Sequence, residues 1–143
     1  MLQKILSTTD NLSGLLLRLG LGIVILPHGY QKITDFGNLI DILGQHYGLP
    51  AFIAVLVILI EFFGSLLLIL GVFTRINAAL LGIVLFGASF YHLEHGFFMN
   101  WFGNQSGEGI QFSLLFVFSA LALVFVGGGK LSIDGVLQRK IGN

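Results

Sequence analysis

Four apolar stretches, separated by short polar or glycine-containing breaks, set the reading of this chain. The first runs from about Leu12 to Ile33, and Pro27 so late in it predicts a kink and not an end. Asp10 or Asn11 is placed to cap its start. The second, Ala51 to Phe73, is about 23 residues, or roughly 34 Å as a helix, enough to cross a bilayer. The third covers about 76–93, and the fourth about 108–126, closed by Gly127-Gly128-Gly129. Between the first two, Phe36, Leu39, Ile40 and Leu43 recur at helical spacing after a candidate cap, Thr34 or Asp35. That pattern predicts a short helix lying in the membrane interface. After the third stretch, Gly96 to Phe102 places aromatic residues where an interfacial belt is expected. Both connecting segments serve as anchors or roof a pocket. The expected fold is all-α: a polytopic membrane protein forming an antiparallel four-transmembrane-helix bundle, one domain over residues 1–143.

Composition narrows the class further. With 55% hydrophobic residues, 10% charged residues and a mean hydropathy of +0.93, the chain is no ordinary soluble domain. Its net charge is zero and it has no basic block, which argues against a nucleic-acid partner. It has no cysteine, which excludes disulfides, iron–sulfur ligation and c-type haem attachment within the chain. A redox role therefore needs a bound cofactor or a partner protein. Lys4, Arg75, Lys130, Arg139 and Lys140 fall at the termini and the second connection, whereas the first and third connections carry only Lys32. By the positive-inside rule both termini are expected in the cytoplasm, with the protein multi-pass in the cell (inner) membrane. The N-terminus does not read as a cleaved signal. The lipid bilayer is the expected partner, and the apolar surface of a lone bundle leaves a homo-oligomer open.

Glu61 is the most informative polar residue, because a carboxylate at mid-depth is costly and implies a partner, a proton or a polar cavity. Counted from the expected cytoplasmic ends, Glu61 lies roughly 18 Å deep, His28 and Gln111 roughly 22 Å, and Ser89 and His92 about 20–24 Å. Arg18 lies roughly 8–10 Å deep, outside this layer. Helical side chains lean toward the N-terminus, so Arg18 leans to the cytoplasmic side and Glu61 away from it. Glu61 is thus expected to meet His28, directly or through water, or Lys32, while Arg18 snorkels to the interface. Arg18, Gly22, Ile25, Gly29 and Lys32 recur on one face of the first span, where the glycines permit close helix contact.

No metal centre is expected. His92 and His95 share a helix face near Glu94 and Glu108 but lack a full ligand set, and they are read as interfacial hydrogen-bonding groups. His46 is expected in solvent. A haem between His28 and His92 would demand a wide cavity and is disfavoured. A quinone pocket fits better: Phe86, Phe90, Tyr91, Phe112 and Phe116 are candidate walls, with His28, Lys32, Glu61, Ser89, His92 and Gln111 as binding groups. Glu61 and His28 are the candidates for proton exchange.

Several stretches, in order, resemble the DoxX family of small four-helix membrane proteins. They are Arg18-Leu19, His28-Gly29-x-x-Lys32, Glu61-x-x-Gly64, Gly71-x-x-Thr74-Arg75, the run from His95 to Asn104, and Gly127 to Asp134. The resemblance implies a membrane subunit or anchor of an oxidoreductase system that interacts with quinone, alongside a soluble or membrane redox partner. Gln111 departs from the pattern, since a glutamate is expected there, and a neutral amide takes up no proton. Two further functions compete: a structural or assembly subunit without chemistry of its own, and a small-solute or proton pathway. The pathway ranks last, because Arg18 and Asn77 alone interrupt the apolar inner half.

Overall fold

The computed structural model describes residues 6–142 apart from the side chain of His46, so the expected exposure of His46 lies outside the described residues. Six helices follow one another among them: α1 (Leu12–Thr34), α2 (Phe36–Tyr47), α3 (Ala51–Leu70), α4 (Thr74–His92), α5 (Gln111–Val126) and α6 (Ile133–Gly142). A 3-10 turn, Leu93–His95, extends α4. By length and composition α1, α3 and the extended α4 are able to cross a membrane, and α5 is apolar but has only 16 residues.

Local chemistry explains the boundaries. Asn11 caps α1, its side-chain oxygen accepting from the Gly14 amide at 2.8 Å. The helix then runs through Pro27 to Thr34. Asp35 precedes α2 but makes no capping hydrogen bond, contrary to expectation, and instead accepts from the Asn38 side chain at 2.9 Å. α3 ends at Leu70, three residues before the expected Phe73, with Gly71 as its cap. There Val72 N donates to Leu67 O and Gly71 N to Leu68 O, a Schellman closure that needs the positive φ of Gly71, 68°. α5 starts at Gln111 and not near residue 108, because Ile110 N and Gln111 N donate to Gly96 O and Phe97 O and close the preceding loop.

The main core gathers Leu21 and Ile25 of α1, Leu68 of α3, Ala78 and Leu81 of α4, and Phe116, Ala120 and Leu123 of α5. α2 lies across the first half of α3, where Leu43 packs on Ala54 and Ile58. α3 meets α4 chiefly through its middle and second half. The two helices therefore diverge toward the start of α3, beneath α2.

At the end of the bundle that holds the glycine loop and α6, Arg18 does not snorkel. Its residue is only 2% exposed. Nε donates to Gly128 O at 2.9 Å. One terminal nitrogen donates to Leu68 O at 3.3 Å and to Ile69 O, and the other to Lys130 O at 3.2 Å and Leu131 O at 2.9 Å. All five guanidinium donors thus end on backbone carbonyls. The short side chain of Asp134 completes the knot, accepting from Phe73 N at 2.7 Å and Thr74 N at 2.8 Å and so capping α4 from outside. Helix α6, which the hydropathy pattern did not reveal, is pinned here by its own Asp134.

Lysine cannot reproduce five carbonyl contacts. Arg18→Lys is expected to cost at least about 3 kcal/mol, read as a lowered apparent melting temperature of the detergent-purified protein, whereas Arg139→Lys on the exposed face of α6 leaves it unchanged.

Candidate functional site

A single turn of α3 decides the site. Residues Ile60–Gly64 form a π-turn, which holds one more residue than the α-helical turn it replaces and frequently marks a functional position. Gly29 of α1 presses against it: a Cβ there would lie 2.6 Å from both Cα and N of Phe62. Ser65 Oγ donates back to Glu61 O, supporting the turn from its own helix. This contact leaves Glu61 facing Lys32, one turn beyond Gly29. The two helices are antiparallel, so each side chain leans toward the other.

Lys32 Nζ lies 2.8 Å from Glu61 Oε1 and 2.6 Å from Oε2. The pair is buried asymmetrically, with the Glu61 side chain 7% exposed and that of Lys32 25%. His28 is not the partner, which corrects the leading expectation. It lies about 100° round the helix from Gly29 and is exposed. Arg18 is likewise absent from the pair, committed as it is to carbonyls at the other end.

Beside the pair is a cleft of about 730 Å³ between the diverging parts of α3 and α4, covered by α2. Leu43, Ile53, Val57, Ile60 and Val84 give it apolar walls, and Lys32, Glu61 and His92 supply its ionisable groups. Tyr91 closes one side, its hydroxyl donating to Tyr47 O at 2.9 Å and its ring meeting that of Tyr47 edge-on at 4.5 Å.

Of the six candidate binding residues, the fold thus brings Lys32, Glu61 and His92 to one cleft and leaves His28, Ser89 and Gln111 off it. Ser89 is buried, but its hydroxyl donates within its own helix to Leu85 O at 2.9 Å. Gln111 is exposed in the first turn of α5. His92 Nδ1 lies 3.0 Å from Glu108 O, and His95 Nδ1 lies 3.1 Å from Ser106 Oγ. No cluster of three or more metal-capable side chains occurs among the described residues. Of the expected aromatic walls, Phe90 and Tyr91 line the cleft. Phe112 and Phe116 do not: they pack on each other at 4.4 Å, with Phe116 in the main core. Sequence reading missed the π-turn, whereas the roofing of a pocket by α2 was one of its two readings of that segment. The Glu61–Ser65 spacing and the Gly29–Lys32 face were the signals available.

The family model described as DoxX matches residues 13–94. This chain belongs to the DoxX family. The matched segment runs from the second residue of α1 through α4, and so contains every residue that lines the cleft. The chain is 32% identical over 120 residues to the Bacillus subtilis (strain 168) protein named "Putative oxidoreductase CatD", covering 84% of this chain and 83% of that one. It is 31% identical over 137 residues to "Inner membrane protein YqjF" of Escherichia coli (strain K12), covering 92% and 96%. No solved structure matches significantly. Together with the apolar helices, these matches make the chain a helical membrane protein of the DoxX type.

Removing one member of a buried ion pair strands the other. Lys32→Met is expected to destabilise the purified protein by about 3 kcal/mol, and the double substitution Lys32→Met with Glu61→Leu to recover most of that loss in the same thermal-unfolding measurement.

Proposed function

We propose that this protein is a membrane subunit of an oxidoreductase system, and that the cleft beside Lys32 and Glu61 holds the head group of a quinone. The observation that carries this reading is the cleft itself: about 730 Å³ of apolar volume with one buried ion pair on its wall. Small-molecule sites have this character, with volumes of about 300–1,000 Å³ and a few placed polar groups. The printed name of the Bacillus subtilis relative points the same way.

A bound quinone supplies two-electron, two-proton redox chemistry, with electrons delivered by a partner protein. The chain's own residues do the rest. Lys32 has three N–H donors, of which one bonds Glu61 Oε1, so the ammonium keeps a donor for a carbonyl oxygen in the cleft. Glu61 holds that ammonium in place and would serve as the nearby group that relays to the reduced head group the protons it takes up. Tyr91 and Phe90 provide a flat wall, and α2 keeps bulk water out. The termini then face the cytoplasm, as the distribution of Lys and Arg directs.

The structural-subunit reading has one observation in its favour, because the ion pair also ties α1 to α3. Gly87 separates the two. It lines the cleft, and nothing lies within 4 Å of a Cβ added there. Gly87→Leu is expected to fill the cleft and weaken binding of a short-tail ubiquinone analogue at least about tenfold, with the melting temperature unchanged. Absence of binding to the unsubstituted protein, measured by calorimetry or fluorescence quenching, would favour the structural subunit.

A further inference from the structure

We infer that the Lys32–Glu61 pair makes the cleft selective for uncharged amphiphiles, admitting a neutral carbonyl or hydroxyl head and rejecting a carboxylate on the same tail. This inference rests on reading the cleft as a ligand site and specifies what that site accepts. The need for selection is visible in the surroundings. Leu56, Ile83 and Phe90 line the cleft and are also 48%, 68% and 58% exposed, so it borders the lipid-facing surface. Fatty acids and other anionic amphiphiles dissolved in the bilayer therefore compete for entry.

The charge arrangement decides between them. Lys32 is the more exposed partner and lines the cleft, with an N–H beyond the one given to Glu61 Oε1. Its charge is already cancelled by a carboxylate whose oxygens sit at 2.8 and 2.6 Å. A neutral acceptor takes that N–H without bringing a charge out of water. An anionic head loses its hydration, finds a neutralised ammonium, and faces the Glu61 carboxylate at short range. The other polar side chains on the cleft wall are Tyr47, Tyr91 and His92, of which the Tyr91 hydroxyl is given to Tyr47 O and His92 Nδ1 lies against Glu108 O. Specificity here comes from a repulsive element as well as an attractive one. Glu61→Gln removes that element and leaves an uncompensated ammonium, which converts the cleft into an anion site.

The test is competition against a short-tail ubiquinone analogue on the purified full chain. The competitors are dodecanol and dodecanoate, two heads on one tail length, at a pH where the acid is ionised. On the unsubstituted protein dodecanoate should compete at least about tenfold more weakly than dodecanol. Glu61→Gln should strengthen dodecanoate at least about tenfold, and adding Lys32→Met to it should abolish that gain. Equal competition by the two on the unsubstituted protein overturns charge selection while leaving the quinone site standing. An unchanged dodecanoate affinity in folded Glu61→Gln overturns it as well. If the analogue does not bind at all, the site and its selectivity fall together. Should Glu61→Gln not fold, the comparison on the unsubstituted protein still decides.

Discussion

The buried guanidinium of Arg18 is the constraint on which the rest of the bundle depends. An arginine in an apolar bundle must satisfy five N–H groups, and this fold does so without a directly bonded carboxylate. The acceptors are the last carbonyls of α3 and those of the glycine loop after α5, groups that α-helical hydrogen bonding leaves unpaired. One side chain thus resolves two debts of unpaired polarity. The loop can approach only because Gly128 lacks a side chain: a Cβ there would lie 2.7 Å from Ser132 Cβ and 2.8 Å from Thr74 Oγ1. By fixing α1 against the end of α3, Arg18 also sets the register that brings Gly29 onto the π-turn two to three helical turns away. The position of Glu61 is inherited from the opposite end of the helix pair.

The two ends of the bundle consequently have different characters. At one end, α6, the glycine loop and the α3–α4 turn are bonded to one another through Arg18, Asp134 and Arg75, whose Nε donates to Ser7 O at 2.8 Å. At the other end the helices spread, and α2 covers the opening with few polar ties. Its tie to α4 is the Tyr47–Tyr91 contact. A rigid end and a loosely covered end are what a membrane protein needs if a lipid-soluble molecule is to enter from the side without the fold coming apart.

Much of this was legible in the pattern of residues. The apolar stretches gave the long helices, and the spacing of Phe36, Leu39, Ile40 and Leu43 gave α2. The face of Arg18, Gly22, Ile25 and Gly29 proved to be the buried one. What hydropathy hides is hydrogen bonding over long sequence distances. Arg18 looked exposed because its acceptors lie about 50 and 110 residues away, and α6 was missed because its burial depends on Asp134 reaching a turn 60 residues earlier. Depth counting put His28, Ser89 and Gln111 in a layer with Glu61, yet depth fixes only one coordinate. Rotation about each helix axis separated them, and the π-turn altered that rotation at the one residue where it mattered.

The energetics of the ion pair bear on why it exists. Replacing a buried ion pair by well-packed apolar residues is often neutral or stabilising, because desolvation offsets much of the attraction. A bundle with the packing of Leu21, Ile25, Leu68, Leu81 and Leu123 has no evident need of Lys32 and Glu61 for stability. Arg18 is different, since it serves carbonyls at the end of α3 and in the glycine loop, of which Leu68 O alone is also given a donor by Gly71 N. The pair at the open end has no such orphaned backbone to serve. On the proposed reading, its position on the cleft wall, which both residues line, has a consequence only when something occupies that volume. The place of the pair on the cleft wall, and not the presence of the charges alone, is therefore what supports the proposal of a ligand site over a strut.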